Sequence, residues 1–198
     1  MTRQSGRPAD ETGRLEKEIR TYDFLDANHV WYERIDHEAA MTMEVCEEID
    51  KALEATICKN LFLCNRQETN FYLLMLPGHK KFKTKDISKQ LGVARLSFAK
   101  DAYMEEYLDI TPGSVSVLGL MNDKENHVQL LMDKDLVQVV QFPEFENKEG
   151  SPLELVKDHP IDTLERDGRH LRLRKRYTPA MHQEPIFVTV EDEESQIR

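Results

Sequence analysis

Lys59 is the residue whose surroundings most strongly suggest chemistry. It lies in the run ICKNLFLC, which is otherwise largely apolar. A buried ammonium group is costly unless it reaches a hydrogen-bonding partner or an anionic ligand. Lys59 is therefore a candidate ligand-binding residue, the alternative being a strand lysine that extends to solvent. The adjacent Asn60 could offer its amide to a ligand or only bond a local backbone group.

Two other segments have residue types suited to a pocket. His37 stands between Asp36 and Glu38, which would orient its imidazole ring and favour the charged form. The segment 111–116, TPGSVS, is typical of a turn before a strand, and its glycine would let a ligand approach the backbone closely. Neither segment by itself distinguishes a binding role from a structural one.

Several catalytic motifs are missing from the sequence. It contains no G-x-S-x-G, H-E-x-x-H, G-x-x-x-x-G-K or G-x-G-x-x-G, which disfavours hydrolase triads, zinc proteases and nucleotide-hydrolysing folds. The cysteines Cys46, Cys58 and Cys64 are predicted to be reduced. Cys58 and Cys64 match no zinc or redox spacing and are predicted to be buried small hydrophobes. We predict no metal site and no cofactor.

The composition indicates one sizeable core. The chain has 198 residues, of which 39% are hydrophobic and 32% are charged, and its formal net charge is -10. This acidity argues against a protein that coats nucleic acid but not against a local basic groove. No apolar run is long enough for a membrane helix and the N-terminus has no signal-peptide pattern, so we expect a soluble, cytoplasmic protein.

Hydrophobic periodicity predicts alternating helices and strands that hold these residues. Leu15 to about Asn28 is expected to form a helix and Val30 to Ile35 a strand. Thr42 is placed as the N-cap of a second helix, which covers the sheet. The apolar runs ICKNLFLC and FYLLML are predicted to be adjacent central strands separated by the polar turn NRQETN.

The second half of the chain continues this alternation less clearly. KTKDISKQLG is predicted to form a helix that stops at Gly92, and a further helix is expected from Asp101 to Leu108. ITPGSVSVLGL is expected to enter a strand, MNDKEN to be a hairpin tip and HVQLLMD to be the returning strand. Ile186 to Val190 suits an edge strand, whereas segment 143–176 has no clear assignment.

These elements predict a mixed α/β fold of the α+β class in a single domain. The domain is expected to span residues 13–190. Residues 1–12 are expected to form a disordered tail, and residues 191–198 a second, acidic tail.

Four blocks of the chain, in the same order, resemble the YbaK and ProX group of prolyl-tRNA editing proteins. They are DHEAAMTMEVCEEIDKAL, ICKNLFLCN, KTKDISKQLGVARLSF and ITPGSVSVLGLMNDKENHVQLLMDKDL. The Lys59-Asn60 pair is similar to the alanine-directed ProX branch. The resemblance implies a mixed, partly barrel-like sheet flanked by helices. It also implies hydrolysis, in trans, of the ester joining alanine to tRNA(Pro), with this tRNA as partner and prolyl-tRNA synthetase as a transient one.

The resemblance further implies a set of site residues. Because an aminoacyl ester is already activated, such an enzyme mainly positions water or a ribose hydroxyl and stabilises an oxyanion. Lys59 would polarise the carbonyl, bind a phosphate or hold the substrate's geometry, and the sequence leaves these roles open. The implied catalytic residues are Lys59, Asn60, Gly113 and Ser114. The implied pocket residues are His37, Thr42, Val115, Gly119 and His159.

A cluster of cations is the candidate tRNA surface. It interrupts an otherwise acidic chain and could face phosphates along one groove, or could be only a solvated helix face. Its members are Lys80, Lys81, Lys83, Lys85, Lys89 and Arg95.

The chain departs from the resemblance after its last predicted strand in this region. The family continues with a His-Pro-Asn type motif, and the candidate here, HPIDT at residues 159–163, comes later than expected. Either an insertion displaces the motif or the match is accidental. The alternative function is therefore a catalytically weak or inactive tRNA-binding relative of the same family.

Overall fold

Helices and strands alternate along the chain. The computed structural model describes residues 2–37, 48–49, 51–53, 58–136, 138–146, 152–157, 161–165, 169–173 and 186–190. Helices Glu16–Ala27, Thr84–Leu91 and Asp101–Leu108 confirm three predicted ones. Residues 48–49 and 51–53 are also helical, while the predicted N-cap Thr42 lies outside the described residues. None of the helices in these ranges is long and apolar enough to cross a membrane.

The central sheet is built around an antiparallel hairpin. Its strands are β3 (Cys58–Asn65) and β4 (Phe71–Pro77), and β4 is buried along its whole length. In the turn, Asn65 Oδ1 accepts the backbone N–H groups of Thr69 and Asn70 at 2.9 and 3.2 Å, which closes the loop locally. The prediction of two adjacent central strands is confirmed.

Three more strands complete this sheet, in the order β11-β6-β4-β3-β5. β5 (Leu96–Phe98) pairs antiparallel to β3, while β6 (Val128–Asp133) runs parallel to β4 and β11 (Ile186–Val188) runs parallel to β6. The mixed α/β class and the C-terminal edge strand are thereby confirmed. The expected barrel-like closure is corrected, because among the described strands the hydrogen-bonded ladder ends at β11 and β5 without joining these two edges.

Side-chain alternation along β3 gives the sheet two apolar faces. On one face, Cys58, Phe62 and Cys64 pack with the helix Asp101–Leu108. On the other, Leu63 packs with the helix Thr84–Leu91 and with β11. Cys58 and Cys64 are reduced and buried, as predicted, and Cys46 lies outside the described residues.

The predicted hairpin after residue 111 is wrong. Val117–Met121 is a 3₁₀ helix rather than a strand, because the Ser116 hydroxyl accepts the Leu118 N–H at 3.0 Å and caps it. The following turn is closed by the Asp123 carboxylate, which accepts the backbone N–H groups of His127 and Val128 at 3.0 and 2.7 Å. The chain then enters β6 beside β4, so residues 78–127 form one crossover between parallel neighbours.

The N-terminal residues are ordered into a second sheet, which corrects the predicted tail. β1 (Arg3–Ser5) pairs with β2 (Tyr32–Asp36), and the Gly6 N–H donates to the Tyr32 carbonyl at 2.9 Å. Arg7 then bonds the carboxylate of Asp23 at 2.6 Å on the first helix. Pairing with β1 satisfies backbone N–H and C=O groups of β2 that would otherwise be exposed at a sheet edge. This gain outweighs the polar composition of the N-terminal segment. Residues 191–198 lie outside the described residues.

The segment without a sequence assignment also contains strands. β7 (Gln138–Glu146) pairs with β8 (Pro152–Lys157), and β9 (Ile161–Glu165) pairs with β10 (Arg169–Leu173). β10 joins β2, which gives the second sheet the order β1-β2-β10-β9.

Candidate active site

Lys59 and Asn60 lie on opposite faces of the central sheet. They are consecutive residues of β3, paired with Leu76 and Met75 of β4. Because side chains alternate along a strand, Lys59 shares the face of Leu63, while Asn60 shares the face of Cys58. A ligand could reach both side chains only at the end of the sheet where β3 begins and β4 ends. In sheets with parallel strands, ligands bind beyond the carboxyl ends of those strands.

The ammonium group of Lys59 is fixed by a main-chain acceptor. Its Nζ donates to the carbonyl oxygen of Lys80 at 2.9 Å, and the side chain is only partly buried. Lys80 follows β4 in a tight turn, in which its own N–H donates to the Pro77 carbonyl at 3.1 Å. The bond from Lys59 to the Lys80 carbonyl uses one of the three N–H donors of the Lys59 ammonium group.

The side chain of Lys80 is buried, and this corrects its predicted role in tRNA binding. Lys80 as a whole is 4% exposed. Its Nζ contacts Asp133 Oδ1 at 2.9 Å, Asp135 Oδ2 at 2.6 Å and the Val190 carbonyl oxygen at 2.7 Å. Burial alone would lower the pKa of Lys80, but the hydrogen bonds to Asp135 and Asp133 outweigh it and raise the pKa above its usual value. Lys80 is therefore a charged structural residue that joins β4, β6 and the end of β11.

Asn60 connects the other face to the glycine-containing loop. Its Nδ2 donates to the carbonyl oxygen of Val115 at 3.0 Å, and its Oδ1 lies 3.6 Å from the Cys58 sulfur. In the loop, Gly113 has a φ of 94°, a left-handed conformation that favours glycine. The structure thus brings together Asn60, Gly113 and Val115, three of the residues singled out from the sequence.

Ser114 has a turn-forming geometry. It is fully buried, its hydroxyl donates to the Thr111 carbonyl at 2.8 Å, and its N–H donates to the same oxygen at 3.2 Å. Both of its donors are therefore directed at the turn itself, which identifies Ser114 as a positioning residue of the loop.

Gly119 is a packing position in the 3₁₀ helix. A Cβ built there would overlap the Cδ1 of Ile110 and lie 3.1 Å from the Leu108 Cβ. The glycine thus lets the 3₁₀ helix approach the end of the helix Asp101–Leu108 closely. This contact places the loop against the core, and it is the structural reason for a glycine here.

Replacing Gly119 by alanine is expected to lower the free energy of unfolding by about 1–3 kcal/mol, as overpacking typically does. Adding Ile110→Val removes the overlapping Cδ1 and should recover part of the loss. Urea denaturation of the two single variants and the double variant measures the coupling. Strictly additive effects would contradict the contact.

His37 is partly buried directly after β2, beside a network of arginines. The Asp36 carboxylate accepts from Arg14 at 2.7 Å and from Arg34. Burial would raise the pKa of Asp36, but these arginine hydrogen bonds outweigh it and lower the pKa. The remaining predicted pocket residues, Thr42 and His159, lie outside the described residues, as does the segment 38–47 that follows His37.

The other predicted cations are exposed. Lys81 and Lys83 precede the helix Thr84–Leu91, Lys85 and Lys89 lie on it, and Arg95 precedes β5. They all belong to the crossover that follows β4.

Asp133 is a residue that sequence reasoning missed. It is fully buried at the end of β6, where Oδ1 bonds Lys80 and the Asp135 N–H, and Oδ2 accepts the Val190 N–H at 2.7 Å. The sequence does contain a signal for this role, because Asp133 is the last residue of the apolar run HVQLLMD. A carboxylate that is buried with such a strand requires hydrogen-bonding partners.

Known proteins share both sequence and fold with this chain. The chain is 34% identical over 113 residues to the prolyl-tRNA editing protein ProX of Acetoanaerobium sticklandii, covering 57% of this chain and 69% of that protein. It is 28% identical over 116 residues to the prolyl-tRNA synthetase associated domain-containing protein 1 of Mus musculus, covering 58% and 68%. These similarities confirm the resemblance seen in the four sequence blocks.

Solved structures support the same fold. A protein assigned as a trans-editing enzyme for prolyl-tRNA synthetase aligns with a TM-score of 0.52 at 15% identity, over 80% of this chain and 86% of that chain. A scaffold protein from a computational epitope-grafting design aligns with a TM-score of 0.60 at 12% identity, over 90% and 98%. The family profile of the aminoacyl-tRNA editing domain matches residues 37–143, more than half of the chain. The chain therefore belongs to the aminoacyl-tRNA editing domain family, and within it to the YbaK and ProX group of prolyl-tRNA editing proteins.

Proposed function

We propose that this protein is a trans-editing deacylase that hydrolyses alanyl-tRNA(Pro). Family membership supports the editing reaction, and the observation that carries the proposal is the fixed ammonium of Lys59 beside the end of the central sheet. The proposed partner is tRNA(Pro) carrying alanine, with prolyl-tRNA synthetase as a transient one. A cytoplasmic location follows from this role in translation.

Lys59 is the proposed oxyanion-stabilising residue. Its bond to the Lys80 carbonyl sets the position of the ammonium, and its remaining donors can bond the ester carbonyl oxygen as negative charge develops there. The acceptor is a backbone atom in a tight turn, so it is pre-organised and loses little freedom when the substrate binds.

The Gly113 loop is the proposed binding wall for the terminal ribose. Asn60 holds the loop through the Val115 carbonyl, and Ser114 holds its turn. A glycine with positive φ lets a ligand approach the backbone without a Cβ in the way. In this proposal Asn60 and Ser114 are positioning residues, while His37, Thr42 and His159 remain candidates for the amino-acid pocket.

Single-turnover deacylation of alanyl-tRNA(Pro), with prolyl-tRNA(Pro) and cysteinyl-tRNA(Pro) in parallel, tests the proposal. We expect release of alanine well above the spontaneous rate and slower release of the other two amino acids. No release above the spontaneous rate, with tRNA binding intact, would establish the alternative, a catalytically inactive tRNA-binding relative.

Binding of tRNA(Pro) is expected to weaken steeply with salt, because cations that contact phosphates displace counterions. Replacing both Lys85 and Lys89 by alanine should reduce the slope of log affinity against log salt by about 1 to 2. Titrations at several salt concentrations measure this slope. Lys124→Ala, an exposed lysine outside the crossover's cation cluster, is the matched control and should leave the slope unchanged. Equal slopes for all three proteins would exclude Lys85 and Lys89 from the tRNA surface.

A further inference from the structure

Phe98 is an exposed aromatic side chain with an ordered support. It is 63% exposed, the largest value for a large hydrophobic residue in the part of the chain that the structure describes. Its ring meets Phe82 edge-to-face, with centroids 6.1 Å apart and an interplanar angle of 76°. Phe82 packs on the apolar face of the sheet beneath it. The Phe98 ring is therefore held in place while much of it remains open to water.

Phe98 lies on the same sheet face as Lys59. In the register of β5 with β3, Phe98 pairs with Leu63, and Leu63 is four residues from Lys59 along β3. An even number of residues keeps side chains on one face, and four residues of strand span about 13 Å. A substrate whose ester reaches Lys59 would therefore have its neighbouring nucleotides within range of Phe98.

The surroundings of Phe98 are basic in an acidic protein. The chain has a net charge of -10, yet Asp86 is the one acidic residue between positions 79 and 100. The exposed cations Lys85 and Lys89 lie on the helix that packs beside β5, and Arg95 directly precedes this strand. This charge complements a phosphate backbone.

An exposed aromatic ring beside a row of cations is the arrangement that binds single-stranded nucleic acid. Cations follow the backbone, while the ring stacks on a base irrespective of its identity. A paired stem offers no free base face, and among the unpaired parts of a tRNA the 3′ end is the one that carries the ester proposed to reach Lys59.

We propose that Phe98, supported by Phe82, is a stacking platform for an unpaired base in the 3′ end of the tRNA. The proposal deepens the proposed function, and rests on it for the identity of the RNA. Phe98 would add affinity for the acceptor end without taking part in the chemistry.

The test compares tRNA(Pro) binding by Phe98→Ala, Phe98→Trp and Phe187→Ala. Phe187 is the matched control, a 50% exposed phenylalanine on the opposite edge of the same sheet. We expect Phe98→Ala to weaken binding by about 5- to 100-fold, the range of base–aromatic stacking, and Phe98→Trp to retain affinity. Phe187→Ala should change affinity less than about twofold. For tRNA(Pro) trimmed of its unpaired 3′ nucleotides, wild type and Phe98→Ala should bind equally.

Equal binding of intact tRNA by wild type and Phe98→Ala would overturn the platform. A deficit that persists on trimmed tRNA would overturn it too, because Phe98 would then act on another part of the RNA or on the fold. Unfolding in urea checks the fold, and we expect the midpoint to fall only slightly, since Phe98→Ala removes an exposed ring whose support is the contact with Phe82.

The deacylation assay separates this proposal from the proposed function. If Phe98→Ala loses binding only to intact tRNA while wild type releases no alanine, the platform stands and the deacylase assignment fails. If wild type deacylates and Phe98→Ala binds normally, the platform alone fails. Where both hold, Phe98→Ala should raise the half-saturating enzyme concentration and leave the rate at saturation within about threefold.

Discussion

Replacing Lys59 by alanine is expected to lower the single-turnover rate of alanyl-tRNA(Pro) deacylation by about 100- to 1000-fold. Removing one donor from a developing oxyanion commonly costs this much. The rate constant at saturating enzyme is the measurement, since it isolates the bound complex from any change in tRNA affinity. A rate within about threefold of wild type would remove Lys59 from the reaction.

Two controls keep the Lys59 result interpretable. Lys59→Ala removes one hydrogen bond, to the Lys80 carbonyl, so its free energy of unfolding should fall by only about 1 kcal/mol. Lys59→Arg keeps the charge but changes the donor geometry, and we expect an intermediate rate. A stability loss several times larger would mean that the variant reports on folding rather than on the ester.

Replacing Asp133 by alanine is expected to lower the free energy of unfolding by about 3 kcal/mol or more. The side chains of Asp133 and Lys80 are 1% and 5% exposed, so the substitution leaves a buried ammonium with less compensation. It also removes the acceptor of the Val190 N–H, which loosens the end of β11. Urea denaturation measures the loss.

The matched control for Asp133 is its neighbour Asp135. Asp135 also contacts the Lys80 ammonium, but its side chain is 66% exposed, so Asp135→Ala should cost no more than about 1 kcal/mol. The double variant Lys80→Met, Asp133→Leu should be more stable than Asp133→Ala, because no unpaired buried charge remains. Equal losses for Asp133→Ala and Asp135→Ala would show that burial does not set the strength of this pair.

The pH dependence of this pair follows from the raised pKa of Lys80. A group whose pKa is higher in the folded state stabilises the fold below its unfolded-state pKa. The contribution is therefore complete at neutral pH, and it is lost as the pH rises through the folded-state pKa of Lys80.

The central hairpin was predictable because its signal is local. Nearly continuous apolar runs, separated by a polar turn, leave few alternatives to buried neighbouring strands. The 3₁₀ helix at Val117–Met121 was not predictable in this way, since it depends on the Ser116 cap and on the contact of Gly119 with Ile110. In β10 the alternation of Leu171 and Leu173 with polar residues was an available signal, obscured by the surrounding arginines.

The candidate site was only partly predictable for the same reason. Lys59 stands out because an ammonium interrupts an apolar run, but its partner is a backbone carbonyl, which residues of every type possess. Lys80, Lys81 and Lys83 look alike in sequence, and only the folded chain shows that Lys80 is buried against Asp133. Asn60 and the loop it holds are 55 residues apart, a separation that periodicity cannot bridge.

The parallel pairing of β4 with β6 has a consequence for the order in which this protein folds. The β3–β4 hairpin closes through residues 66–70, whereas β6 can join only after residues 78–127 have been looped out. The entropy of closing the larger loop delays that step, so the hairpin forms first and β6 docks later. Kinetic measurements on Asp133→Ala test this order: an effect confined to the unfolding rate would place the contacts of Asp133 after the rate-limiting barrier, whereas slower refolding would place them at it.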